Sequence, residues 1–265
     1  MNPMIRKELR QRMRERRAWL LPSLYLLVLG AVVIVFYMTV TTRPGSLEIA
    51  VQGATLGQGI FLAVAYAQLS LLLLVAPVFS AGAVTIEKEQ RTLAGLLTSL
   101  LGPADIWWGK LAAALLYQGL LLASGLPVLA LTLAFGGIGP RELGIALAST
   151  AIVVAAVSAA GLYFSCFFRR SVHATSVTYA FIVALTVVPL VAHAVLASLV
   201  GRVAREPTWL PYAMAPNPFY ALSIGLFGAA ERAGPWVGSL AFFSVLFAAA
   251  AVFAVRDIAR GGEQA

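Results

Sequence analysis

Few residues of this chain have the types and spacing that chemistry requires. The string GPADIWWGKL, residues 102–111, ends in a Gly-Lys pair like a phosphate-binding loop. Such a loop needs four residues between its glycines, Ser or Thr after the lysine, and a preceding strand. Here six residues separate Gly102 from Gly109, Leu111 follows Lys110, and an apolar run of membrane length comes next. The chain is therefore expected to carry no ATPase site and not to be an enzyme. Neither a His-Glu-x-x-His nor a Gly-x-Ser-x-Gly string occurs. The single cysteine, Cys166, excludes an internal disulfide and a cysteine metal cluster, and His173 and His193 are too few for a histidine site. What remains is the stretch TIEKEQRTLAGLL, residues 85–97. It sets Glu87, Lys88, Glu89 and Arg91 between two long segments without charge.

Those segments define the class of the protein. Hydrophobic residues make up 60% of the chain and charged residues 11%, against about 25% charged in soluble domains. Charge-free runs occur at Ala18–Thr42, Ile49–Ile86, Leu111–Pro140, Leu143–Phe168, Ser171–Gly201 and Ala233–Val255. Each can cross ~30 Å of hydrocarbon as a helix of ~20 residues, and continuous rather than alternating apolarity excludes a barrel. A seventh run, Pro207–Ala230, contains Pro207, Pro211, Pro216 and Pro218. Too few residues follow its last proline to span, so 202–235 is expected to be an outer loop with a re-entrant hairpin. The expected fold is an all-α integral membrane domain over 1–265 with six transmembrane helices and both termini on one side.

Lysine and arginine set the orientation. With the N-terminus inside, fourteen of the nineteen basic residues lie on the inner segments. Arg43, Arg141, Arg202, Arg205 and Arg232 lie on the outer ones. A seven-span arrangement separates the charges almost as well, and the prolines decide for six. The opening arm, residues 1–18, and the start of the first run place Ile5, Leu9, Met13, Trp19 and Leu20 on one helical face with Lys7, Arg10, Arg14 and Arg17 opposite or beside it, and Arg6, Arg10, Arg14 and Arg17 are the candidate interfacial residues. Arg12 and Arg16 fall within the apolar face and must snorkel. This is an interfacial helix for the anionic cytoplasmic leaflet rather than a site for nucleic acid.

Residues 85–102 are expected to form a cytoplasmic helix. Leu93, Leu96, Leu97, Leu100 and Leu101 follow helical spacing. Glu87 and Glu89 lie in the first turn, where the dipole stabilises acids. Glu87 precedes Arg91 by four residues, the favourable order for an ion pair, and Gly102 and Pro103 are stop signals. Within the spans, Gln58, Gln68, Gln118, His173 and His193 are costly polar groups whose plainest use is interhelical hydrogen bonding. Ala155, Ala159, Ala160 and Gly161 allow either close helix packing or a dimer seam. Pro77, Pro127 and Pro189 are positioned to kink spans two, three and five.

The string EKEQRTLAGLLTSLLGPADIWWGKL resembles the cytoplasmic loop of the ABC-2 type permeases, the membrane subunits of ATP-binding-cassette transporters. The matching positions are Glu87, Glu89, Arg91, Thr92, Leu96, Leu97, Pro103, Asp105, Ile106, Gly109 and Lys110. The opening NPMIRKELRQRMRERRA and the PNPFYAL at Pro216–Leu222 also resemble that family. Two positions depart from it: Leu100 stands where many members have proline, and Arg91 where many have glycine.

The resemblance implies an exporter permease driven by a separate ATPase. It makes 1–18 an elbow helix and 85–102 a coupling helix docking in the ATPase through Glu87, Glu89, Arg91, Thr92, Leu93, Leu96 and Leu97. Arg169 and Arg170 would form a second, smaller contact, for which an ordinary charged loop is the alternative. The implied partners are two ATPase copies, a second or homologous permease, and the lipid bilayer of the cell inner membrane. Cofactors are expected on the ATPase only, as ATP and Mg. The alternatives are ATP-driven transmission of motion without solute transport, and a membrane scaffold outside this class. The substrate is not legible in the sequence.

Overall fold

The computed structural model describes residues 17–42, 53–91, 102–200, 208–227 and 233–263. They form α1 (Arg17–Thr41), α2 (Gly53–Ser80), α3 (Thr85–Glu89), α4 (Pro103–Leu133), α5 (Pro140–Phe167) and α6 (Ser171–Val200). A 3-10 turn (Leu210–Met214), α7 (Pro218–Phe227) and α8 (Ala233–Glu263) follow. No strand occurs among the described residues. Among the described residues, six helices, α1, α2, α4, α5, α6 and α8, are long and apolar enough to cross a membrane, and each overlaps one of the six expected runs. At ~1.5 Å per residue, helices of 25 to 31 residues exceed a ~30 Å core, so they tilt or protrude.

Burial orders these helices. About 56% of the apolar window is buried in α2 and in α5, against 11% in α1 and in α6. Helix α5 is central and packs on α2, α4, α6, α7 and α8, while α1 rests on α2 and α4. Small side chains permit that crowding. Ala156, Ala159, Ala160 and Gly161 are buried within the chain. Of the four residues expected to allow close packing or a dimer seam, Ala159, Ala160 and Gly161 pack within the chain and Ala155 is half-buried.

The expected prolines lie inside their helices: Pro77 in α2, Pro127 in α4 and Pro189 in α6. A proline removes the hydrogen bond to the carbonyl four residues back, and here side-chain donors from other elements reach the carbonyl next to it. The Tyr179 hydroxyl of α6 donates to Leu74 O at 2.8 Å, three residues before Pro77. The Asn217 amide donates to Thr186 O at 2.9 Å, three residues before Pro189. The Asn217 Oδ1 also caps α7, accepting from the amides of Phe219 and Tyr220. Helix α7 has ten residues, ~15 Å, half of what a span needs. Its companion Tyr212 lies in a notch opened by Gly234 and Gly238 on α8.

At the same end, α4 and α5 are joined through Gly136 and Gly137, both left-handed at φ +84 and +80. Gly57 of α2 sits directly against this turn, where a Cβ would strike the Gly136 carbonyl oxygen. Backbone cannot rotate aside. Gly57→Ala should therefore lower stability by ~1–3 kcal/mol, as overpacking does. Gly119→Ala, in open space on α4, should be neutral or slightly stabilising. Thermal unfolding of both variants in detergent distinguishes them; equal midpoints would rule out the close approach.

Candidate functional site

The charged stretch at 85–91 lies where α1, α4 and α6 begin and α2, α5 and α8 end. We call this the α3 end. Helix α2 stops at Ser80, and the turn 81–84 stays buried through Ala81 and Val84. Beneath it, Val84, Trp107, Leu111, Ala159, Leu162, Cys166, Ala250, Ala254 and Ile258 form an apolar plug. Helix α3 stands on that plug.

A five-residue helix cannot satisfy its own ends, and α3 has no side-chain cap of its own. Ser165 of α5 supplies one: its Oγ accepts the amides of Val84 at 2.9 Å and Thr85 at 3.0 Å. The debt is mutual. Lys88 of α3 extends its ammonium group over the end of α5 and donates to the carbonyls of Ser165 (3.3 Å), Cys166 and Phe168 (3.1 Å). Glu89 completes the next helix. Its Oε1 accepts the Ser171 amide at 2.7 Å and the Ser171 hydroxyl at 3.0 Å at the start of α6. Both charges have the sign that the helix dipole favours, a cation at a C-terminus and an anion at an N-terminus.

Glu87 turns to α4. Its Oε1 pairs with Lys110 Nζ at 2.7 Å, and Lys110 also donates to Ala83 O at 2.8 Å. Lys110 is 1% exposed, so this cation needs both partners. Helix α4 starts at Gly102, whose amide is accepted by Asp105 Oδ2, with Pro103 in the first turn. Three consecutive residues, Glu87, Lys88 and Glu89, thus bond to three different helices.

This geometry corrects several expectations. The helix expected over 85–102 closes at Glu89, because Arg91 adopts a left-handed φ of 55. Glycine adopts that conformation without strain, whereas an arginine there is uncommon. Glu87 pairs with Lys110 instead of Arg91, since Arg91 lies past the helix end. Gly102 and Pro103 start a helix rather than stop one, because proline at the first position loses no hydrogen bond. Thr92, Leu93, Leu96 and Leu97 lie outside the described residues, as do Arg6, Arg10 and Arg14; Arg17 is the first residue of α1. Arg169 and Arg170 form the exposed turn between α5 and α6, beside the residues that Lys88 and Glu89 hold.

Sequence reasoning missed Lys88, Ser165 and Ser171 as site residues. Lys110, standing alone at the head of an apolar run, was the one signal available for a buried ion pair. Two of the three intramembrane glutamines make hydrogen bonds to other segments, while the buried Oε1 of Gln68 has no hydrogen-bond partner. Gln58 donates to Gly137 O at 2.9 Å, and Gln118 accepts from Ser158 at 2.9 Å. Among the described residues, no group of His, Cys, Asp or Glu is arranged to hold a metal.

A family model described as ABC-2 family transporter protein matches residues 35–255. No curated protein gives a significant match.

The bonded end makes a stability prediction. Ser165→Ala removes the acceptor of two amides and should cost ~1–3 kcal/mol for each left unsatisfied. Lys110→Met leaves Glu87 without its cation, a loss of ~3–5 kcal/mol at full burial and less here because Glu87 is 22% exposed. Adding Glu87→Gln should recover part of it. A double-mutant cycle by thermal unfolding measures the coupling; strictly additive effects would refute the pair.

Proposed function

The chain belongs to the ABC-2 family of transporter proteins, and from that premise we propose that it is the permease subunit of an exporter driven by a separate ATPase. It is a multi-pass membrane protein and a membrane component of transport. The observation that carries the finer reading is the three-way anchoring of α3. A push on α3 reaches the starts of α4 and α6 and the end of α5 at once. That is the mechanical property a coupling element needs. Residues 92–101 follow directly and carry no charge, so their leucines supply the apolar contact to the ATPase. ATP and Mg bind on that partner.

The working assembly has two permease chains and two ATPase copies. Apolar side chains of α1 and α6, such as Leu24, Leu27, Val183 and Leu190, stay exposed. Lipid and the second permease cover them. The chain resides in the cell inner membrane with both termini and the α3 end in the cytoplasm. Residues 1–18 lie on the leaflet as an elbow helix. The 3-10 turn and α7 form the re-entrant hairpin on the outer side.

Partnership is tested by purification in mild detergent. The chain alone should hydrolyse no ATP, and an ATPase of domain size should accompany it. Leu93→Ala/Leu96→Ala/Leu97→Ala should lose that ATPase while inserting normally, each leucine contributing ~2–5 kcal/mol if fully buried and less at an adaptable interface. A stable, functional dimer without any ATPase would contradict the proposal.

Topology is tested by labelling. In a Cys166→Ser background, single cysteines at Gln11 and Gln264 should react only from the cytoplasmic side. Labelling of Gln264 from outside would require an odd number of spans.

A further inference from the structure

Two buried polar atoms of the spans meet without bonding. The Tyr25 hydroxyl of α1 and the Gln68 Oε1 of α2 have no hydrogen-bond partner, although their residues are only 4% and 2% exposed. Both atoms lie against Gly125 of α4. A Cβ on Gly125 would stand 2.9 Å from Gln68 Oε1 and 3.1 Å from the Tyr25 hydroxyl oxygen. The two atoms are therefore at most ~6 Å apart, a donor beside an acceptor.

Leucines close this polar layer on every helix that forms it. Leu29 of α1, Leu72 of α2, and Leu121 and Leu129 of α4 each stand one helical turn away, and all belong to the buried apolar core. A hydroxyl and an amide oxygen are costly to leave unpaired in such surroundings. Folded proteins pair nearly all such groups, with ordered water where no protein group reaches. Gln58 and Gln118 solve the problem by direct bonds of 2.9 Å; Gln68 does not.

The geometry selects the ligand. One oxygen atom hydrogen-bonded to both groups can bridge a gap of up to ~6 Å. Burial of both side chains inside leucine layers shuts out a solute, and water alone both accepts and donates at that size. We propose that Tyr25, Gln68 and Gly125 form a site for one buried water molecule, which accepts from the Tyr25 hydroxyl and donates to Gln68 Oε1. Gly125 keeps a side chain out of the site. The bridge fastens α1, whose apolar window is only 11% buried, to α2 by a polar link in the middle of an apolar contact.

The experiment is X-ray hydroxyl-radical footprinting of the full chain in phosphatidylcholine nanodiscs, read by mass spectrometry. Radiolysis of a bound water oxidises the side chain beside it. Tyr25 should therefore be oxidised several-fold faster than Phe61 and Phe243, core aromatics that are 0% exposed. Gln68→Leu should abolish that excess. If Gln68→Leu does not fold, Gly125→Ala takes its place, because its Cβ crowds both polar atoms and should also remove the excess. Thermal unfolding supplies the second readout. Tyr25→Phe and Gln68→Leu each lose the same water, so the double variant should shift the midpoint by less than the two single shifts together. Tyr25 oxidation no faster than that of the two phenylalanines overturns the proposal, and so does an excess that survives in the folded variant. Strictly additive midpoint shifts overturn it as well. Coupled shifts without excess oxidation would mean that Tyr25 bonds Gln68 directly, and the water site would be rejected.

Discussion

Glu87, Lys88 and Glu89 each complete a different helix, and the α3 end depends on those three bonds. The physical problem is common to every membrane bundle. A helix end leaves amides or carbonyls without partners, and six spans bring many such ends together at each surface. Here one short helix supplies the missing groups. Ser165 and Lys88 exchange caps between α3 and α5, Glu89 caps α6, and Glu87 neutralises the buried Lys110 of α4. Breaking the Ser165 bonds leaves the buried amides of Val84 and Thr85 without partners, where polar groups are costly to leave unpaired.

The rest of the bundle solves the same problem by other means. Two proline-disrupted turns, before Pro77 and Pro189, receive side-chain donors from Tyr179 and Asn217. Asn217 does two things at once, since its other atom caps α7. Glycines then allow backbone to approach backbone: Gly57 meets the α4–α5 turn, and Gly234 and Gly238 seat Tyr212. A Gly-x-x-x-Gly spacing usually reads as a helix–helix contact. Here a tyrosine of the same chain fills the notch.

The six spans were legible because lack of charge over membrane length has few other causes. Their ends were less so. The run Ile49–Ile86 continues past the end of α2 at Ser80, because the turn that follows is itself apolar and buried through Ala81 and Val84. Gly102-Pro103 reads equally well as a stop or a start, and only the structure decides. The Glu87–Arg91 pair was a local inference. Periodicity knows the neighbour four residues on and cannot see Lys110, 23 residues away. Ser165 and Ser171 left no trace in the sequence, since a serine in an apolar helix most often bonds to its own preceding turn. Ser70, Ser80 and Ser244 do just that.

The separations spanned by these bonds also carry a timetable. Glu87 meets a partner 23 residues downstream, whereas Lys88 waits for carbonyls at least 77 residues away and Glu89 for an amide 82 residues away. At a synthesis rate of about 5–20 residues per second, that delay is ~4–16 s. During it α2 and α4 already stand in the bilayer, with a lysine and a glutamate still in water. The closing of α3 onto α5 and α6 therefore records that five of the six spans have been made. A cell surveying its membrane for unfinished chains would find in the exposed Lys88 and Glu89 a mark that vanishes only when this part of the bundle is assembled.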